Sequence, residues 1–239
     1  MSVFLITGAT SGIGAATARL AIKSGHQVFI TGRDEERMRV LLAELGPQAG
    51  GFTGDAANWD DTQAAVAAAL GHFGQIDVVF ANAGFAAAGD FANGDIDEWR
   101  SMILTNVFGP MILARATLPA LTKSQGQFIL TSSVVGRRVV GGNAYSVTKW
   151  AATAFGESLR QQVVGTGIRV SVVEPGRVDT AFWKAGVSGA ALSAEDIAST
   201  VMWITTISQS MWTSTKSWCG RSGSSYEVNK AGADLPSME

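Results

Sequence analysis

The sequence predicts an α/β protein with a doubly wound, parallel sheet of six to seven strands and helices on both faces. Short apolar runs rich in β-branched and aromatic residues alternate with segments of helical length. The chain has 239 residues and 46% apolar content, which is enough for one domain with a full core. Its 28 glycines indicate many tight turns. Strands that alternate with helices pair in parallel through right-handed crossovers, so these observations favour a single layered sheet.

The elements follow one another from the N-terminus without an internal repeat. Six runs bounded by Gly, Asp or Asn are typical of buried strands: VFLIT, QVFIT, GGFTG, DVVFAN, GQFILTSS and IRVSVVEPG. The segments of helical length between them are 13–24, 34–45, 59–73, 97–121 and 144–164. From Thr205 to Ser225, eleven of twenty-one residues are Ser or Thr and the periodicity fades. We therefore expect one domain over 1–204 and an atypical tail over 205–239.

Composition and charge exclude several classes of protein. The formal net charge is −2 with scattered signs, whereas a nucleic-acid surface needs clustered Lys and Arg. A single cysteine, Cys219, excludes an intrachain disulfide framework and fits a reducing compartment. We find no apolar stretch of the roughly eighteen residues that a membrane span needs, and the N-terminus MSVFLITGAT is unlike a signal peptide. The expectation is a cytoplasmic protein with no nucleic-acid partner, no membrane partner and no metal site.

The first strand leads into TGATSGIG, residues Thr7 to Gly14. Glycines at 8, 12 and 14 allow a sharp turn, the approach of a pyrophosphate and close packing of a helix on the sheet. The helix that begins near Ile13 then points its free N–H groups at the phosphates. The alternative is a simple strand-to-helix turn, but the position after strand one favours a dinucleotide cofactor.

The end of the second strand indicates which cofactor. An NAD enzyme usually has an acidic residue there for the ribose 2′-hydroxyl, whereas a 2′-phosphate needs a cation. Gly32 stands at that position and Arg33 follows it. Because the guanidinium suits phosphate, NADP(H) is favoured over NAD(H). The alternative is a solvated Arg33 that pairs with one of the carboxylates at 34–36.

Tyr145 and Lys149 lie four residues apart in NAYSVTKWAA and share a helix face. Together with TGATSGIG, GDAAN, NAG at 82–84, TNVFG and EPGRVDT at 174–180, this pair resembles the short-chain dehydrogenase/reductase family over residues 3 to about 204. The resemblance implies a Rossmann-type catalytic domain. It also implies this cofactor-binding set: Gly8, Thr10, Ser11, Gly12, Ile13, Gly14, Arg33, Asp55, Asn82, Ala83, Gly84, Tyr145, Lys149, Pro175, Gly176, Val178 and Thr180.

The same resemblance implies a catalytic set of Asn106, Ser133, Tyr145 and Lys149. Stabilising a tyrosine phenolate by about three pKa units takes roughly 4 kcal/mol, to which Lys149 and an oxidised nicotinamide would contribute. Tyr145 would then be the general acid in carbonyl reduction and the base in alcohol oxidation. The family's Ser-x-x-Gly spacing selects Ser133, whereas the usual distance to Tyr145 selects Ser132. Neighbouring strand side chains face opposite ways, so only one of the two can serve, and we favour Ser133.

The substrate is poorly encoded. Residues expected to line the pocket are mainly apolar with possible cations: Phe85, Val134, Val135, Arg138, Arg177, Phe182 and Trp183. The loop GRRVVGGNAY and the segment EDIASTVMWITT most resemble a branch that includes NADP-dependent 3-hydroxy acid and serine dehydrogenases. One hypothesis gives Arg177 or Arg138 a substrate carboxylate, and the alternative is that both are surface arginines.

The tail departs from the family pattern, because SQSMWTSTKSWCGRSGSSYEVNK shows no apolar alternation to match the seventh strand of relatives. Met and Trp have single codons, so reading Met211 to Thr213 one base upstream forces Val then Asp. Permitted codons extend that reading to HVDVNEVLVRPVG, which resembles the missing strand. We hypothesise a frameshift near Ser210, and a divergent natural tail is the alternative.

The helices predicted at 97–121 and 144–164 resemble the pair through which family members associate, so a homodimer or homotetramer is expected. Two functions remain open. The first is an NADP(H)-dependent oxidoreductase acting on a small alcohol or carbonyl compound. The second is a nucleotide-binding sensor or scaffold without catalysis. A pure binder needs no phenolic acid, which favours the enzyme.

Overall fold

A computed structural model describes residues 1–182, 189–206 and 217–219. Its strands are β1 (Val3–Ile6), β2 (Gln27–Gly32), β3 (Ala49–Thr53), β4 (Val78–Ala81), β5 (Gln127–Thr131), β6 (Arg169–Pro175) and β7 (Ser217–Cys219). Its α-helices are α1 (Gly12–Lys23), α2 (Glu35–Leu45), α3 (Trp59–Phe73), α4 (Ile96–Ile103), α5 (Gly109–Ser124), α6 (Ala144–Gln162) and α7 (Ala194–Thr206). The predicted strands and helices are present, with ends shifted by a few residues.

The strands form one parallel sheet in the order β3-β2-β1-β4-β5-β6-β7. Strand β1 is central, with Phe4 opposite Val28 on one side and Val78 on the other. The chain order reverses between β1 and β4, and ligands of such sheets bind outside the carboxyl ends of the strands at this reversal. The predicted doubly wound α/β class is confirmed.

The core has one apolar layer on each face of the sheet. On one face α1, α2 and α7 pack over Phe4, Ile6 and Ile30. On the other, α3, α5 and α6 pack over a layer that includes Leu5 and Phe128. Strands covered on both faces need continuous apolar sequence, which explains why VFLI and VVFA are buried at every position.

The segment predicted as a helix over 97–121 is a continuous helical rod from Ile96 to Ser124 with a π-helical turn, Leu104–Phe108, between α4 and α5. By length and composition this rod could cross a membrane. The expectation that no apolar stretch is long enough for a membrane span was therefore wrong. Four of its apolar side chains, Met102, Ile112, Leu113 and Leu121, are buried inside the protein. One-sided burial of this kind is what a core helix of an α/β domain shows.

Two elements were absent from the sequence prediction. Helix α7 packs on α1 and covers the sheet through Ile197 and Val201. Strand β7 pairs with β6 in parallel, with Ser217 opposite Val173, although the tail was expected to supply no such strand. The lack of apolar alternation in the tail did not exclude a strand, because the hydrogen bonds between strands come from the backbone. The edge of β6 offers unpaired N–H and C=O groups to any extended segment.

Candidate active site

The glycine-rich turn after β1 is built for close backbone contact. Gly8 has a φ of +62°, and a Cβ on Gly14 would lie 2.6 Å from the carbonyl oxygen of Gly8. The Asn82 amide donates to the carbonyl oxygens of Thr7 and Gly8, at 3.1 and 3.2 Å. The Thr7 hydroxyl oxygen accepts from the backbone N–H groups of Asn82 and Ala83. The turn is therefore locked to the end of β4, with no space for larger side chains.

The N-terminus of α1 differs from those of the neighbouring helices. Asp34, Asn58 and Asp95 cap α2, α3 and α4 by accepting backbone N–H groups, and each first turn carries two acids. At α1, by contrast, Ser11 makes no side-chain cap, and no acidic residue lies in the first turn. Within the described residues, α1 thus begins with unsatisfied N–H groups and an uncompensated dipole, an arrangement that fits a pyrophosphate.

Two of the three carboxylates at 34–36 that could have paired with Arg33 are engaged with other arginines. Asp34 caps α2 and lies 3.2 Å from the guanidinium of Arg37, and Glu36 pairs with Arg39. Arg33 is exposed and has no ion pair within the part of the chain that the structure describes. Its guanidinium is thus available to an anion at the end of β2.

Gly32 shows why no acid stands before Arg33. A Cβ at position 32 would lie 2.6 Å from Cγ2 of Thr10, in the glycine-rich turn. A carboxylate there would require Thr10 to move. The packing of the turn against β2 thus disfavours the acidic residue that would hold a ribose 2′-hydroxyl.

Asp55 lines a narrow cleft between the ends of β1, β2 and β3 and the start of α5. Its Oδ1 accepts the backbone N–H of Ala57, while its own N–H donates to Asp61. The walls include Leu5, Phe52 and Leu113, so the cleft is mainly apolar, with the carboxylates of Asp55 and Asp61 among its lining. Such a site suits a planar heterocycle with a polar edge, as the adenine side of a dinucleotide has.

Tyr145 and Lys149 lie on the first turns of α6, which begins at an Asn143 cap whose Oδ1 accepts the Ser146 N–H at 2.8 Å. The Lys149 Nζ is 5.5 Å from the centre of the Tyr145 ring and donates to the Thr131 carbonyl oxygen at 2.9 Å. Burial lowers the pKa of Lys149 to about 8. Burial raises the pKa of the Tyr145 phenol above its usual range, and a hydrogen bond with Ser133 opposes that rise. The phenol therefore needs added positive charge before it can ionise near neutral pH.

The two serines at the end of β5 face different surroundings. The Ser133 hydroxyl hydrogen-bonds with the Tyr145 phenol and lies 3.4 Å from the carbonyl oxygen of Pro175. The Ser132 hydroxyl points the other way, where it donates to the Lys149 carbonyl oxygen at 2.9 Å. Only Ser133 is therefore placed with the phenol.

Asn106 lies in the π-helical turn and is 2% exposed. Its Oδ1 accepts the Phe85 N–H, and its Nδ2 donates to the Phe85 carbonyl oxygen and to Thr148 Oγ1. A Cβ on Gly84 would lie 3.0 Å from Asn106 Oδ1 and 3.6 Å from Lys149 Nζ. Asn106 therefore fixes the chain after β4 against α6, beside the lysine.

The loop after β6 closes over the glycine-rich turn. Val178 is 5% exposed and forms a bridge to Leu192, and a Cβ on Gly12 would touch Thr180 at 3.4 Å. Pro175 ends β6 with its carbonyl oxygen 3.4 Å from the Ser133 hydroxyl, and Gly176 begins the loop. The predicted cofactor residues at 8–14, 82–84 and 175–180 thus lie at one end of the sheet.

The predicted substrate side is brought together only in part. The Phe182 ring packs on Tyr145 with 5.6 Å between the ring centres. Arg138 and Arg177 are exposed on the loops after β5 and β6, and the backbone N–H of Val135 donates to Ser133. Trp183 lies outside the described residues.

Sequence reasoning missed the polar residues that support this site: Thr7, Thr148, Thr153 and Glu174. Thr7 and Glu174 stand at the first positions of TGATSGIG and EPGRVDT, and Thr148 and Thr153 lie in a predicted helix, but no pattern gave any of the four a role. Glu174, buried at 3% exposure near the end of β6, is the one that a search for charged residues in strands could have found.

Comparison with known proteins agrees with this geometry. A family model described as short chain dehydrogenase matches residues 2–190. Serine 3-dehydrogenase of Agrobacterium fabrum is 36% identical over 214 residues, covering 84% of this chain and 86% of that protein. An NADP-dependent 3-hydroxy acid dehydrogenase of Salmonella typhi is 33% identical over 221 residues, covering 86% and 89%. A solved structure, the closed form of serine dehydrogenase complexed with NADP+, is 31% identical with a TM-score of 0.82, covering 86% and 90%.

Proposed function

The chain belongs to the short-chain dehydrogenase family and is an oxidoreductase, and from that premise we propose that it uses NADP(H) to interconvert a small hydroxy acid and its carbonyl form. The observation that carries this proposal is the cluster of Ser133, Tyr145 and Lys149 beside the open N-terminus of α1. When bound, the nicotinamide would supply the hydride chemistry. The chain's own residues orient the substrate and move the proton.

Tyr145 carries the proton step. In reduction its phenol donates a proton to the substrate oxygen, and in oxidation the phenolate accepts one. The Ser133 hydroxyl donates a hydrogen bond to the same oxygen, where negative charge develops. Lys149 supplies positive charge within about 6 Å of the ring, which favours the phenolate. Asn106 would order the proton path to solvent, beside Lys149.

The preference for NADP(H) rests on Arg33. The neighbouring carboxylates of Asp34 and Glu36 are engaged with Arg37 and Arg39, and Gly32 removes the competing acid. A forked guanidinium binds a phosphate through two hydrogen bonds, which a 2′-hydroxyl cannot match. The Salmonella typhi relative, named as an NADP-dependent enzyme, is in line with this choice.

The substrate class rests on the relatives named for serine and 3-hydroxy acids and on the arginines near the site. Arg138 and Arg177 lie on the two loops that flank Ser133, and both are exposed. We assign the substrate carboxylate to one of them. Replacing each with Met should raise the KM for hydroxy acids and leave that for neutral alcohols unchanged, and an equal loss on both would contradict the assignment.

We also propose that the chain works as a homodimer or homotetramer in the cytoplasm. Apolar residues on α5, α6 and the π-helical turn remain exposed at helical spacing: Leu104, Phe108, Met111, Val147 and Trp150. A stripe of this kind, continuous across two helices, suits a symmetric contact with a second copy.

The test is NADP+ reduction at 340 nm with a panel of 3-hydroxy acids, serine and matching neutral alcohols. We expect turnover of at least one hydroxy acid and a loss of at least a hundredfold in kcat for Tyr145→Phe with NADPH binding retained. Tight NADPH binding without turnover of any substrate would instead support the sensor.

A further inference from the structure

A buried polar network lies behind the catalytic cluster and has no part in the proton step above. It consists of Ser132, Thr153, Glu174 and Arg137, and we call it the rear network. The first three side chains are 2%, 7% and 3% exposed. Burying polar groups costs free energy unless each finds a partner, so a buried set of this size has a structural or functional reason.

The bonds of the rear network run from one element to the next. Arg137 Nε donates to Glu174 Oε1 at 2.7 Å, and Thr153 Oγ1 donates to the same oxygen at 3.1 Å. Thr153 Oγ1 is also 2.7 Å from Ser132 Oγ, which donates to the Lys149 carbonyl oxygen at 2.9 Å. The network thereby joins the end of β5, the second turn of α6 and the end of β6.

The end of β5, this part of α6 and the end of β6 carry the groups that must come together for the proton step. Ser133 follows Ser132, and Pro175, whose carbonyl oxygen lies 3.4 Å from the Ser133 hydroxyl, follows Glu174. The bond from Ser132 fixes the helix turn at the residue that bears the catalytic ammonium. We propose that the rear network is a positioning device: through Thr153 and Glu174 it sets the distance between Lys149 and the Tyr145 phenol. This inference rests on the proposed function of that pair.

Gly136 gives a second, independent reason for the positioning role of the rear network. A Cβ at position 136 would lie 2.7 Å from the Lys149 carbonyl oxygen, 2.7 Å from Ser132 Oγ and 2.8 Å from Thr153 Oγ1. The backbone at Gly136 is not in the left-handed region, so it is the closeness of the network, not the φ angle, that requires glycine. The glycine of the Ser-x-x-Gly spacing therefore leaves room for the rear network.

A positioning role makes a prediction that a purely stabilising role does not. The charge of Lys149 acts on the phenol over a short distance through a medium of low dielectric, so a small shift of the α6 turn changes the ionisation of Tyr145. Substrate binding need not change with it. Misplacement should therefore lower kcat and raise the tyrosine pKa, while KM stays the same.

The experiment measures tyrosinate absorbance at 295 nm against pH in the complex with NADP+. The chain has only two tyrosines, and Tyr145→Phe supplies the spectrum of the other. The test variants are Thr153→Val, which removes the central hydroxyl, and Gly136→Ala, which adds a methyl group to the network. Thr153→Ser restores the hydroxyl.

Two matched controls make the same chemical changes elsewhere. Thr117 is also buried, but among the described residues its hydroxyl bonds to carbonyl oxygens of its own helix, so Thr117→Val removes a buried hydroxyl that is not part of the network. Gly71 would have nothing within 4 Å of an added Cβ, so Gly71→Ala adds a methyl group into open space.

We expect Thr153→Val and Gly136→Ala to raise the Tyr145 midpoint by about one pH unit and to lower kcat at pH 7 about tenfold, with KM within twofold. Thr153→Ser should return both values to within twofold, and the controls should leave the midpoint unchanged. A drop in melting temperature with an unmoved midpoint would overturn the positioning role. If the midpoint moves in the two variants but the wild-type protein turns over no substrate, the proposed function fails and the positioning role still stands.

Discussion

Arg33→Gln tests the cofactor assignment through a single side chain. Asp34 is engaged with Arg37 and Glu36 with Arg39, so the Arg33 guanidinium is available for a 2′-phosphate. A hydrogen bond to a charged group contributes about 1.5–3 kcal/mol. Loss of one such contact should weaken NADPH binding by roughly 10- to 150-fold. NADH has no 2′-phosphate, so its affinity should change by less than twofold.

The assay is quenching of tryptophan fluorescence on titration with NADPH and NADH at fixed ionic strength, since phosphate contacts weaken with salt. The matched control is Arg37→Gln, which removes a neighbouring guanidinium already paired with Asp34 at 3.2 Å. Exposed pairs of this kind contribute little, so this variant should bind NADPH within about threefold of wild type. The reasoning would be refuted by an equal loss for NADPH and NADH, or by an equal effect of the two substitutions.

Three further predictions follow from burial and surface chemistry. Lys149 has a pKa of about 8 in the folded chain against an ordinary value of 10.5. Burying this amine therefore costs no folding stability above pH 10.5, and the cost grows as pH falls to 8, because the unfolded chain binds the proton first. In urea unfolding of the cofactor-free protein, the free energy of unfolding of wild type should rise relative to that of Lys149→Met by up to about 3 kcal/mol as pH rises from 8 to 10.5. Parallel plots of unfolding free energy against pH for the two proteins would contradict this. Trp150→Glu should lower the mass measured by sedimentation, whereas Val40→Glu, at an equally exposed site on α2, should not. Replacing the chain from position 211 by HVDVNEVLVRPVG should raise the melting temperature if a frameshift altered the tail, and an intact genomic frame encoding the present tail would end that hypothesis.

The sequence by itself determined the class of fold and the family. Continuous apolar runs such as VFLI in β1 and VVFA in β4 fit a sheet covered on both faces, and alternation with helices makes that sheet parallel. Glycines at 8, 12 and 14, and Tyr145 four residues before Lys149, are local patterns whose meaning is set by helix and turn geometry. Local geometry is encoded within a few residues, so these predictions needed no coordinates.

Other features depended on contacts between distant parts of the chain. Alternation along β5 says that Ser132 and Ser133 face opposite ways, but only the packing of α6 decides which of them meets the Tyr145 phenol. Strand β7 arises because β6 offers an unpaired edge, which no pattern in the tail reveals.

The same reason explains the rear network and the state of Arg33. Glu174 and Thr153 are 21 residues apart and Arg137 and Glu174 are 37 apart, so their bonds exist only once three elements are packed together. Asp34 and Glu36 do not pair with Arg33 because α2 turns them toward Arg37 and Arg39. Sequence spacing fixes which side chains share a face of one element, whereas tertiary packing decides which of them meet across elements and which remain available to a ligand.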